Sequence, residues 1–313
     1  MKTVPLGATG VDVSIYCLGA MYFGSRNDRA TAYRMLDRFV DAGGTFIDTA
    51  NIYAWWVEGY HGGESETLLG AWLRERGHRD RLFIASKVGF QYGDVTRGLS
   101  AAQIEAECNK SLRRLGIDSL DLYYAHVDDR LTPQEETLAA FDRLVRAGKV
   151  RLLGASNFSG WRLAQAHALS ERHGWPDYVC LQQRHTYLRP KPGASFDPQL
   201  HLTDETAAYC HANQVTILAY SSLLSGAYTR LDRPVPDEYL GPDADARLAV
   251  LRELAAAHGV TPNQVILAWL TQQTPAILPV MAASTDEQMA ENLHALELQL
   301  TDAEIERLTT AGA

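Results

Sequence analysis

Apolar and polar positions along the chain follow two alternating periods. The opening segment "KTVPLGATGVDVSI" holds two short apolar-alternating stretches around a Gly7 to Gly10 turn, which predicts a β-hairpin. Then short β-rich runs, "IYCLGA", "TFIDTA", "LFIASKV", "LDLYYAHV", "VRLLGASN", "YVCLQQR", "VTILAYSSL" and "AILPVMA", alternate with longer stretches of helical periodicity. Helix starts are expected at Ser100, at Thr132-Pro133, at Ser159 and at Thr285, where a hydroxyl can accept from an orphan N–H. Helix ends are expected at Gly43, Gly77, Gly116, Gly148, Gly174 and Gly259. Strand, helix, glycine and strand in repetition predict parallel strands with right-handed crossovers. Eight such units predict a closed (β/α)8 TIM barrel, with residues 1–14 as an N-terminal hairpin and 15–313 as barrel and C-terminal helices of one domain. An open doubly wound sheet should carry G-x-G-x-x-G after its first strand, and the sequence has none.

Composition narrows the function classes. A net charge of −9 disfavours nucleic acid as a partner and favours a small molecule. No apolar run reaches the roughly 18 residues of a membrane span, and no signal-peptide apolar region follows Lys2, so a cytoplasmic location is expected. Cys17, Cys108, Cys180 and Cys210 are scattered without a C-x-x-C pair and read as buried reduced thiols; without H-E-x-x-H either, no metal site is expected.

Three segments exceed the simple repeat: "YAWWVEGYHGG", "LRPKPGASFDPQLHL" and "YTRLDRPVPDEYLGPDADA". Each follows a strand's C-terminal end, the face where long βα loops shape a barrel's active site. Polar residues recur at that face: Asp48 after "TFI", Lys87 after "LFIAS", His126 after "LDLYYA", and Tyr53 one short loop beyond Asp48. Singly, each reads as a cap, a solvated cation or a satisfied polar group. Together they can deliver a proton. A neighbouring cation at Lys87 favours phenolate and so makes Tyr53 a workable acid. Asp48 keeps Lys87 charged, and a neutral His126 can donate to a carbonyl oxygen as charge develops there. Trp55 and Trp56, with Tyr60 and His61, offer an aromatic wall, and Tyr22 is placed with the two tryptophans as substrate pocket.

"FIDTANIY", "ASK" and "YYAH" together resemble the Asp, Tyr, Lys, His tetrad of the aldo-keto reductases. "PLGATGVDVSIYCLGAMYFG", "GGESETLLGAWL" and "GKVRLLGASNFS" extend the resemblance over nearly the whole chain. It implies a nicotinamide cofactor bound without a Rossmann loop, NADP(H) favoured and NAD(H) possible. By the same resemblance Ser156, Asn157 and Gln182 hold the carboxamide and Tyr220 stacks on the nicotinamide ring. Ser221, Leu223 and Ser225 join them in cofactor binding, and Ser284, Gln288 and Asn292 serve the adenosine end. Departures from the family pattern are Ala282 for a Gly, Ser222 for a Pro, and no Arg or Lys at Ser284 or Ala227. With Asp286 adding negative charge, a modest preference for NADPH is expected, unless Arg230 or Arg233 folds over the phosphate.

The reading reached is carbonyl–alcohol interconversion with Tyr53 as general acid and base, by a monomer or small homo-oligomer. Its rivals are a sugar or secondary-metabolite alcohol dehydrogenase working oxidatively and a cofactor-sensing subunit with little turnover. A barrel glycosidase using Asp128 and Asp129 is disfavoured, because the run ending at Tyr220 and Ser221 offers no acid.

Overall fold

A computed structural model describes residues 1–312. Strands β1 (Thr3–Pro5) and β2 (Asp12–Ser14) form the antiparallel hairpin, with Val4 opposite Val13. The eight apolar runs become β3 (Cys17–Gly19), β4 (Phe46–Asp48), β5 (Phe83–Val88), β6 (Leu120–Ala125), β7 (Val150–Ser156), β8 (Tyr178–Arg184), β9 (Thr216–Tyr220) and β10 (Leu278–Met281). They pair in parallel, in sequence order, and β10 closes on β3, so the expected TIM barrel is the fold. Strands this short and apolar are buried on both faces by the barrel interior and the surrounding helices.

Helices α1 (Arg29–Asp41), α2 (Glu64–Arg76), α3 (Ala101–Leu115), α4 (Gln134–Arg146), α5 (Gly160–His173), α6 (Asp204–Ala212), α7 (Ala244–His258), α8 (Pro262–Gln272), α9 (Asp286–His294) and α10 (Asp302–Thr310) cover the strands. The glycine stops hold: Gly77, Gly116, Gly174 and Gly259 are left-handed C-caps, while Gly43 and Gly148 follow the caps Ala42 and Ala147. The start signals need correction in part. Thr285 accepts from the Gln288 N–H as expected. Ser100 and Ser159 occupy N-cap positions, but neither side chain caps. Glu136 supplies the Ala101 N–H instead, from the neighbouring helix α4. At α4 the N-cap is Pro133, and the Thr132 hydroxyl turns back to Asp129 at 2.6 Å. Long-range partners have displaced the local ones that sequence spacing suggests.

Helix α2 follows directly on the loop that carries Tyr53, so its seat fixes that loop's far end. Gly70 lets α2 approach the end of α3: a Cβ there would lie 2.4 Å from the Arg114 carbonyl oxygen and 2.6 Å from that of Leu115. Gly70→Ala gains about 1 kcal/mol of helix propensity, but overpacking against backbone that cannot yield costs about 1–3 kcal/mol. Packing should win, and the urea midpoint should fall at unchanged m-value. A raised midpoint would show that the two helices can separate freely.

Candidate active site

The barrel register brings the four polar groups together. Asp48 ends β4, paired with Gly19 on one side and Ala85 on the other. Lys87 lies on β5 beside Tyr124 of β6, and the His126 N–H donates to the Val88 carbonyl at 2.8 Å. Asp48 and Lys87 have no solvent exposure, and Tyr53 and His126 are buried at the rim. All three ammonium protons of Lys87 are used: one on Asp48 Oδ2, one on the Thr49 carbonyl at 2.9 Å, and one on the Tyr53 phenol oxygen at 2.7 Å. The phenol oxygen therefore accepts from Lys87 and keeps its own hydrogen. Asp48 Oδ2 lies 3.4 Å from that oxygen, at the outer limit for a hydrogen bond.

Burial, reinforced by the Asp48 charge, holds the Tyr53 phenol well above its ordinary 10. That is opposite to the expectation that the lysine would bring it down, because desolvation penalises phenolate more than one shared ammonium repays. The Tyr53 phenol is thus protonated at neutral pH. Burial also lowers the Lys87 pKa, and Asp48 opposes that fall. Desolvation first and Lys87 second hold His126 well below 6.5, so its ring is neutral. Its Nδ1 is buried without a partner. An orphan lone pair costs less than an orphan N–H, so the proton belongs on Nε2, as a donor.

Beside this cluster stand the residues assigned to the nicotinamide. Gln182 Nε2 donates to Asp48 Oδ1 at 3.1 Å. Asn157, at φ 58°, is a hub whose Nδ2 donates to the His126 carbonyl at 2.9 Å and to Ser156 Oγ at 3.1 Å. Its Oδ1 accepts from the Tyr220 hydroxyl at 2.7 Å and the Leu200 N–H at 3.1 Å. Tyr220 is half-buried, with its hydroxyl tethered in this way. The following turn is left-handed at Ser221, Leu224 and Ser225, three non-glycine residues. Leu223 packs on the core. After β10, whose barrel neighbours are β9 and β3, the Ser284 N–H donates to Gln288 Oε1 at 2.8 Å, and buried Asn292 donates to the Ala282 carbonyl at 3.2 Å.

Trp56 forms the mouth, its ring edge-on to Tyr22 at 6.5 Å and to Tyr53 at 6.1 Å. Trp55 and Trp56 are 39% and 45% exposed, high for side chains of this size. Tyr60 instead hydrogen-bonds the Ser25 carbonyl at 3.4 Å, and His61 is exposed. Phe90, three residues beyond Lys87, stands edge-on to the His126 ring at 4.6 Å. It escaped the sequence reading, although its place just past the end of a barrel run was a usable signal.

Other supporting groups gave no such signal. Asn51, in the Tyr53 loop, donates to buried Glu107 of α3 at 2.8 Å, and Tyr92 donates to the same oxygen. Arg114 joins Tyr92 at 3.2 Å to Glu66 at 2.9 Å. At α9, Arg34 and Arg38 of α1 face the Asp286 carboxylate at 3.4 and 3.2 Å. Of the arginines proposed as a phosphate clamp, Arg230 is paired with Asp232 at 2.6 Å.

A histidine buried neutral makes stability pH-dependent. Below about 6.5 the unfolded chain binds a proton that folded His126 refuses, so stability present above that pH drains away on acidification. The slope is about 1.4 kcal/mol per pH unit until the depressed native pKa is reached. Chemical denaturation between pH 7 and 5 should show His126→Gln losing this share of the slope. Parallel profiles would mean that native His126 takes up its proton normally.

Comparisons with known proteins agree with this architecture. The Aldo/keto reductase family profile matches residues 16–313. The uncharacterized oxidoreductase YrpG of Bacillus subtilis is 33% identical, over 98% of this chain and 94% of its own. Norsolorinic acid reductase stcV of Emericella nidulans is 31% identical over 95% and 77%. Aldo-keto reductase yakc [NADP(+)] of Schizosaccharomyces pombe is 29% identical over 94% and 86%. Among solved structures, the thermostable aldo-keto reductase Tm1743, in complex with the inhibitor epalrestat, superposes with a TM-score of 0.79 at 28% identity, covering 99% of this chain and all of that one. A profile spanning the barrel, and relatives aligned along nearly the whole chain, match what the strand order and the strand-end residues already imply: this protein belongs to the aldo/keto reductase family.

Proposed function

We propose that the chain interconverts a carbonyl and an alcohol with a nicotinamide cofactor, Tyr53 giving the proton in reduction and accepting it in oxidation. The observation that carries this reading is the complete use of the Lys87 ammonium, which holds the Tyr53 oxygen at 2.7 Å and leaves its hydrogen with no partner nearer than Asp48 Oδ2 at 3.4 Å. The residues fit a nicotinamide. Ser156 Oγ accepts from Asn157 and keeps its own hydrogen to donate, and the half-buried Tyr220 ring offers a flat wall. When bound, the cofactor supplies the hydride. Neutral His126 orients the carbonyl oxygen through Nε2–H, and Tyr53 delivers its proton to that oxygen as charge builds. Lys87, kept charged by Asp48, stabilises the phenolate left behind. Tyr22, Trp55, Trp56 and Phe90 favour a carbonyl on an apolar or aromatic body.

For the cofactor, the Schizosaccharomyces relative's printed NADP(+) supports NADPH. The cations near the α9 start are Arg34 and Arg38, and Asp286 occupies them. Preference for NADPH over NADH is therefore modest.

Tyr53→Phe keeps the ring and removes the acid. With NADPH and an aromatic aldehyde its turnover should fall about 10²–10⁴-fold, with cofactor binding unchanged. Near-native turnover would remove Tyr53 from the mechanism. Asp286→Asn should free the two guanidinium groups and tighten NADPH by about three- to tenfold, leaving NADH unaltered. Fluorescence titration reads both cofactors, and equal gains for the two would place the phosphate elsewhere.

A further inference from the structure

A small apolar cluster stands apart from the barrel core. Ala50, Ile52, Tyr53 and Tyr92 are packed together, with Met21, Phe90 and Val95 against them. It joins two loops, the one after β4 that carries Tyr53 and the one after β5 that carries Phe90. Apolar contact of this kind gives adhesion without direction, so a polar group must fix where the cluster sits. One carboxylate of α3 does so. Glu107 is 1% exposed, and its Oε2 accepts from Asn51 Nδ2 at 2.8 Å and from the Tyr92 hydroxyl, while its Oε1 takes the Lys110 ammonium at 2.6 Å. Asn51 lies two residues before Tyr53, and Tyr92 two residues beyond Phe90. Asn51 shows what its bond is worth. A carboxylate offers only acceptors, so the amide must turn its nitrogen to Glu107, and its Oδ1 is left buried with no partner. An apolar side chain at that position would avoid the orphan, so the single bond to Glu107 has to offset it. The Tyr92 ring is confined as well: a Cβ on Gly62 would lie 2.6 Å from it, so the loop that bears Trp55 and Trp56 returns directly against it.

We propose that Glu107 is a positioning residue for the reaction: its Oε2 is the common anchor of the Tyr53 loop and the Phe90 loop, so that the proton donor and the wall of the carbonyl pocket are held in register from α3. Glu107 touches neither the phenol nor the His126 ring, and it acts through Asn51 on the one and through Tyr92 on the other. The consequence is a division of labour. Asn51 governs where the Tyr53 hydroxyl stands relative to a bound carbonyl, and with it the proton-transfer step. Tyr92 governs where Phe90 stands against His126, and with it the fit of the substrate body. The kinetic half of the inference rests on the carbonyl-reduction reading above, while the anchoring of the two loops can be measured without turnover.

Amide hydrogen exchange reads the anchor. The N–H groups of Tyr53 and Trp55 report the first loop and those of Tyr92 and Val95 the second, since all four donate within their own loops. Asn51→Ala should speed exchange of the first pair about tenfold, the worth of one hydrogen bond, and spare the second. Tyr92→Phe should do the reverse, and Glu107→Leu should speed both. Glu107→Gln keeps an oxygen able to accept from both loops and should restore protection to within about threefold of wild type. Kinetics with NADPH and an aromatic aldehyde should follow the same division. Asn51→Ala should lower kcat about ten- to hundredfold, Tyr92→Phe should raise KM about tenfold, Glu107→Leu should do both, and Glu107→Gln should recover most of each loss. If Glu107→Leu does not fold, the two single-link variants, which keep Glu107, decide the matter. Exchange that changes in neither loop, or in both alike for either single variant, would overturn the common anchor. Loosened loops with wild-type kcat and KM would make Glu107 a merely stabilising group and overturn its positioning role. A wild type that reduces no carbonyl, with the exchange pattern as expected, would instead overturn the functional reading while the two-loop anchor stood.

Discussion

The structure is organised around one buried charge, the ammonium of Lys87. An ion of this kind, moved out of water, costs several kcal/mol even after relaxation, and it is tolerated only when geometry returns that cost. Here every N–H has an acceptor: a carboxylate at the end of β4, and a backbone carbonyl and a phenol from the loop that follows it. Below it the barrel interior is made of neutral groups. Cys17 and Cys180 are fully buried, and Tyr124 accepts from the Cys180 thiol at 3.6 Å. Gly154 makes that layer possible, because a Cβ there would come within 2.6 Å of the Tyr124 ring. Asp48, Tyr53 and Thr49 are therefore fixed in place by the demand of a single cation.

That demand acts on a loop, and loops are mobile unless tied down. Residues 49–54 are tied on two sides. The Thr49 hydroxyl meets Ser65 at 2.7 Å, and Ser65 reaches the Ala20 carbonyl at 2.7 Å. Asn51 is held by Glu107, whose charge is matched by Lys110. Directly after Tyr53, Ala54 adopts φ 81°, a left-handed conformation that costs a residue with a Cβ about 1–2 kcal/mol. Strain of that size persists only where surrounding contacts over-determine the backbone. The chain spends stability here to aim one phenol.

What the sequence made legible follows from the range of the interactions. Strands and helix ends rest on neighbours in the chain, so all eight barrel runs and the glycine stops could be read directly. Asp48, Lys87 and His126 could be placed because a barrel carries every strand's C-terminal end to one face. The caps at Ser100 and Ser159 misled, since Glu136, a residue of the next helix, satisfies the Ala101 N–H. Pairings such as Arg38 with Asp286, or Asn157 with Tyr220, join residues far apart in the chain, and no local pattern announces them. The direction of the Tyr53 shift is not legible in the motif for a related reason: burial is a property of the whole fold, and it outweighs the one neighbouring charge that the motif displays.

The two ends of the site differ in how they are built, and the difference has a consequence for specificity. Around Asp48, Gln182 and Asn157 nearly every polar atom is committed and buried, so a substitution there disturbs several partners at once. At the start of α9 the charges are partly exposed, and Arg34 and Arg38 meet the Asp286 carboxylate by proximity rather than by aligned hydrogen bonds, Arg38 donating only to the Asp286 backbone carbonyl at 3.2 Å. Exposed pairs of this kind are worth about 0–1 kcal/mol. An incoming anion can exchange with such a carboxylate at little cost. If the α9 end receives a nucleotide, its choice between phosphorylated and plain forms can change through surface charge alone, while the hydrogen bonds around Lys87, among them the one to the Tyr53 oxygen at 2.7 Å, stay as they are.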